Sequence, residues 1–86
     1  MSSLQKIALD ARELEHPKPL ELAMKALRDL DDKNYFYMTH RKNPIPLLDL
    51  ANEQKFQVLT KEDAQGDWHI LIAKNTDILL DELLNV

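Results

Sequence analysis

Cysteine is absent from this chain of 86 residues. That excludes disulfides, thiolate nucleophiles, persulfide carriage, iron–sulfur ligation and every cysteine-based zinc site. Glycine occurs once and proline four times, a composition of folded globular chains and not of linkers or low-complexity tails. No apolar run approaches the length that crosses a bilayer, and Met1 to Lys6 lack the basic start and apolar stretch of a secretory signal. A cytoplasmic location without a membrane partner is the expectation. Positive charge is scarce as well: 11 Lys and Arg stand against 15 Asp and Glu, for a formal net charge of −4. Such a field opposes nucleic-acid phosphates, so no nucleic-acid partner is expected.

What is present suffices for one core. A chain this short has too little interior to divide, so a single domain over 1–86 is expected, with its core at about 6–74 and a C-terminal helix at about 77–84. The run Lys6 to Ala11 reads as a first strand, ended by Arg12-Glu13 and then by Pro17 and Pro19. From Lys18 to Leu30, the residues Leu20, Ala23, Met24, Leu27 and Leu30 recur at three- and four-residue intervals and form one face of an amphipathic helix. Pro17 and Pro19 suit its first turn, where amides have no intrahelical partner to lose.

Asn34 to His40 has strand character, and Arg41 to Pro44 reads as a loop in which Asn43 caps a second helix and Pro44 takes its first position. That helix is expected over Ile45 to Gln54, burying some of Ile45, Leu47, Leu48, Leu50 and Ala51. Phe56 to Lys61 and Trp68 to Lys74 form a hairpin around a loop containing Gly66. Asp77 to Leu84 is too apolar for a free tail and reads as a short helix started by Thr76 or Asp77, packed on the sheet or docked to a partner or second copy. The order is βαβαββ plus a C-terminal helix, and the leading strand-helix-strand unit favours two parallel strands. The fold class is α/β in the broad sense, an α+β two-layer sandwich with a mixed four-stranded sheet.

The stretch Leu9 to Leu27, LDARELEHPKPLELAMKAL, resembles the TusA/SirA group of small sulfur carriers, in which a Leu-Asp-x-Arg run precedes Cys-Pro-x-Pro. Here the run is Leu9-Asp10-Ala11-Arg12, followed by His16-Pro17-Lys18-Pro19. His40 to Glu62, HRKNPIPLLDLANEQKFQVLTKE, more closely resembles an uncharacterised family allied to TusA, in which a basic, proline-containing segment opens the second helix. The two resemblances span roughly residues 7 to 74. They imply two helices over one face of a mixed four-stranded sheet, an open opposite face, and a site in the loop before the first helix. The departure is His16, which stands where those carriers have the persulfide-bearing cysteine, so sulfur relay by that route does not transfer.

Ligands of open α/β sheets gather beyond the carboxyl ends of parallel strands. That edge would collect Arg12, His16, Pro17, Lys18 and Pro19 from the first loop and His40, Arg41 and Lys42 from the second, beside a helix N-terminus. An anion or an acidic protein surface would fit; the competing reading is of ordinary solvated loop charges. A metal held by His16 and His40, with Glu13 or Glu15 as third ligand, is the alternative, although the spacing matches no known ligand pattern. His69 reads as structural. Strand alternation puts it with Leu71 and Ala73 on the face opposite Trp68, Ile70 and Ile72. Asp10 and Glu13 have no nucleophile beside them, which argues against acid–base catalysis. The expectation is a non-catalytic binding or adaptor module without a cofactor, a monomer or weak dimer, with a sulfur, redox or respiratory setting implied by the resemblance alone. The alternative is an enzyme accessory using His16.

Overall fold

The structure, a computed structural model, describes residues 4–84. The elements run β1 (Gln5–Asp10), α1 (Lys18–Arg28), β2 (Asn34–His40), α2 (Ile45–Glu53), β3 (Gln57–Glu62), β4 (Trp68–Ala73) and α3 (Leu80–Leu83). The sheet has the order β1-β2-β4-β3. β1 and β2 are parallel, while β4 pairs antiparallel with both β2 and β3. This is the mixed four-stranded α+β sandwich expected from the pattern.

Strand alternation divides the core. Phe36 and Met38 of β2 with Ile70 and Ile72 of β4 pack under Ala23, Ala26 and Leu27 of α1 and Leu47 and Ala51 of α2, so both long helices cover one face. Tyr35, Leu71 and Ala73 point the other way, into a second cluster closed by Ile78 and Leu80. β4 has neighbours on both edges and buried residues on both faces, Ile70 to Ala73 all reaching zero exposure. In α1, Ala23, Leu27 and Leu30 are buried as their spacing requires, whereas Leu20 and Met24 are partly covered. In α2 the burial falls on Leu47 and Ala51, while Ile45 stays 52% exposed.

Three local expectations change. Pro44, not Asn43, is the N-cap of α2, and Ile45 and Pro46 take the first two helical positions. Pro46 sits in the first turn, where its missing N–H has no intrahelical partner to lose. Asn43 makes no capping bond; its Oδ1 is shut off from solvent without a hydrogen-bond partner. Pro17 is likewise the N-cap of α1, after a cis His16–Pro17 peptide. The C-terminal helix is a single turn, Leu80–Leu83, rather than 77–84.

Gln57 holds the segment that precedes this turn. Its Nε2 donates to the Ile78 carbonyl at 2.8 Å, a group that a helix over 77–84 would use for itself, and to the Asn75 carbonyl at 3.3 Å. Asn75 Oδ1 meanwhile accepts from the Asp77 amide in a local turn. Ile78 and Leu80 are therefore buried at alternate positions while Leu79 between them is 62% exposed, an extended pattern. The segment packs on the sheet of its own chain, against Tyr35, Leu71 and Ala73.

Candidate functional site

Parallel pairing of β1 and β2 sets their carboxyl ends side by side. Asp10 stands opposite Thr39, and the Ala11 amide extends the pairing by donating to the Thr39 carbonyl at 2.8 Å. The loops that follow therefore leave from one edge, beside the starts of α1 and α2. Between them lies a cleft of about 640 Å³. Leu14, Pro19, Leu20, Met38 and Leu47 give it an apolar lining, and Pro44 and Pro46 add to the α2 side. Arg12, His16, His40, Arg41 and Lys42 also line it, so six of the eight residues singled out from the sequence meet at one cleft, Pro19 included. Pro17 and Lys18 do not line it.

The charges differ in how committed they are. Arg12 binds Asp10 through two side-chain contacts, at 2.9 and 2.8 Å, and reaches Asp67 in the β3–β4 turn at 3.4 Å. The Arg12 side chain and then its amide hold the Asp10 carboxyl down to about 2, and the same contacts push the guanidinium above its ordinary range. Arg12 thus ties the first loop to the hairpin turn. Arg41 lies 3.4 Å from Glu13, but both are well exposed, and an ion pair in water at that distance is weak. Lys42 has no ion pair among the described residues. Of the guanidinium and ammonium groups lining the cleft, Lys42 and Arg41 are the ones open to a ligand.

His40 is half-buried at the end of β2, and its Nδ1 accepts the Lys42 amide at 3.2 Å. Burial, and then the nearby Lys42 charge, push its pKa below the usual histidine value. His40 is therefore a neutral acceptor at neutral pH, not an added cation. Asn43 lines the same cleft, with its Oδ1 closed off from solvent and without a hydrogen-bond partner. A buried carbonyl oxygen left without a donor costs about 1–3 kcal/mol. The feature was not visible in a sequence that suggested Asn43 as a cap.

Among the described residues, no group of three or more His, Asp or Glu side chains is disposed to hold a metal ion. His16 and His40 line one cleft, but neither Glu13 nor Glu15 completes a ligand set with them. No helix among the described residues is long and apolar enough to cross a membrane.

With the two loops and the cleft in place, comparison with known families is informative. The profile of a family described as an uncharacterized conserved protein, DUF2249, matches residues 8–74. The chain belongs to the DUF2249 family. No curated protein and no solved structure matches it. The DUF2249 match takes in both cleft loops, all of α1 and α2 and all of β4, and stops before the segment that covers the second face.

Sequence reasoning missed one cluster outside the cleft. His69 is buried as expected of a structural residue, yet both its ring nitrogens are engaged by side chains, Tyr37 on one side and Asp63 on the other. Finding it required the strand register, which local pattern does not supply.

Proposed function

We propose that this DUF2249 chain is a non-catalytic binding module, on a scaffold akin to the TusA group, that recognises an anionic group at the edge where α1 and α2 begin. The group is carried by a small molecule or a protein partner, in the sulfur, redox or respiratory setting that the resemblance implies. The observation that carries this reading is the cleft itself: an apolar lining with Arg41 and Lys42 at its rim, the first only weakly paired and the second without an ion pair among the described residues. A ligand matching these features combines an anionic head with a small apolar body. A thiol sulfur carrier is excluded by composition, since the chain has no cysteine.

The test is a two-dimensional NMR titration of labelled protein with phosphate, sulfite and a short acidic peptide. Shifts confined to residues 12–20 and 40–46, and lost in the Arg41→Ala/Lys42→Ala double variant, support the reading. Shifts scattered over the surface, or undiminished in that variant, overturn it.

A further inference from the structure

The second face of the sheet is covered over only part of its width. Ile78 and Leu80 close the region of Tyr35, Leu71 and Ala73, and leave Tyr37 partly exposed beside Leu59, Leu83 and Leu84. Tyr37 Oη lies 2.6 Å from His69 Nδ1, and His69 Nε2 lies 2.8 Å from Asp63 Oδ2. A phenol, an imidazole and a carboxylate thus form one hydrogen-bonded chain on three strands or their ends, placed by the register that sets Thr39 opposite His69. The order is that of a nucleophile, a base and the group that orients the base.

Asp63 is held firmly for that part. Its Oδ1 accepts the amides of Gln65 at 2.9 Å and Asp67 at 3.0 Å, which close the hairpin turn, leaving Oδ2 for His69. The His69 hydrogen bond, reinforced by those amides, pushes the Asp63 pKa below its ordinary value. An ionised carboxylate only accepts, so Nε2 of a neutral His69 carries the proton and Nδ1 presents its lone pair to the Tyr37 hydroxyl. Lys6 Nζ sits 5.2 Å from the centre of the Tyr37 ring, where a cation favours negative charge building on the phenol.

We infer that Tyr37 is a base-assisted nucleophile, with His69 as its general base and Asp63 as a positioning residue, able to accept an acyl group from a small activated ester. Tyr37 Oη attacks the ester carbonyl carbon while its proton passes to His69 Nδ1. The bond from that carbon to the leaving oxygen breaks, its electron pair going to the departing alkoxide or phenolate. The products are O-acyl-Tyr37 and the leaving group, and His69 returns the proton to water. This site is separate from the cleft, so its failure would leave the anion-binding reading standing.

The probe is p-nitrophenyl acetate at neutral pH, with nitrophenolate release followed optically and the acetylated residue located by mass spectrometry. Tyr37 is expected to react about 100-fold faster than N-acetyltyrosinamide, the lower end of what a positioned base contributes. Tyr37→Phe removes that label. His69→Gln keeps hydrogen-bonding capacity toward both partners but cannot take the proton, and should bring Tyr37 down to the rate of the free phenol. Acetylation of Tyr37 at that rate in the unaltered protein, or undiminished in a folded His69→Gln variant, overturns the inference. The imidazole ¹⁵N spectrum of the unaltered protein is a check independent of any variant: the Nε2–H tautomer is expected, and a neutral His69 protonated at Nδ1 also overturns it.

Discussion

The two faces of one sheet are closed by different means. On the first, α1 and α2 lay Ala23, Leu27, Leu47 and Ala51 over Phe36, Met38, Ile70 and Ile72, and most of these reach zero exposure. On the second, the segment after β4 supplies Ile78 and the start of α3 supplies Leu80, and the rest of the face keeps a polar chain from Tyr37 through His69 to Asp63. Both faces draw on the same strand, β4, whose alternate residues serve each in turn. The difference teaches that parity along one strand assigns the load: even-numbered β4 residues anchor the helices, while odd-numbered ones meet the lighter cover and include His69.

The largest break in that contrast should come from its heavier side. Phe36→Ala removes a fully buried ring from under the helices and should cost about 3–5 kcal/mol, whereas Leu80→Ala on the lighter side should cost about 2 kcal/mol. Urea midpoints of the two variants measure this, and equal losses would show the second face to be as essential as the first. Gln57→Ala tests the tether itself. Loss of its bonds to the Asn75 and Ile78 carbonyls should lower stability by about 1 kcal/mol and quicken amide exchange over 78–84, leaving α1 unchanged.

The smallest effect belongs to the cleft edge. Because the folded state depresses the His40 pKa from 6.5, the unfolded chain takes up that proton first as pH falls. His40 therefore favours the fold above its ordinary range, and that contribution declines as pH falls from about 6.5 through the lower folded value. Lys42→Ala should raise the His40 midpoint in an NMR titration while leaving it below 6.5, since burial is the larger cause. An unmoved midpoint would remove Lys42 from the account.

Much of this architecture was legible because it is periodic. Ala23, Leu27 and Leu30 announce α1 by their spacing, and Trp68 to Ala73 reveals both faces by alternation. The cleft residues were legible because parallel strands bring their following loops to one edge. What escaped depended on contacts distant in sequence. Asn75 and Ile78 are held by Gln57, 18 and 21 positions earlier, so the segment's own leucines suggested more helix than forms. Arg12 is paired with Asp10 two residues away, but its reach to Asp67, 55 residues on, exists only in the folded chain. His69 and Tyr37, 32 residues apart, meet only once β2 and β4 are in register.

The strand order has a consequence for how the chain is born. β4 follows β3 in the chain, yet it lies between β2 and β3. During synthesis β1, β2 and both long helices emerge before the strand that fills the middle of the sheet, and β3 must wait with no edge to join. Ile70 and Ile72 reach the waiting helices only when β4 leaves the ribosome. The nascent chain therefore holds an open apolar seam until β4 appears, and closure then joins distant parts of the sequence in one step.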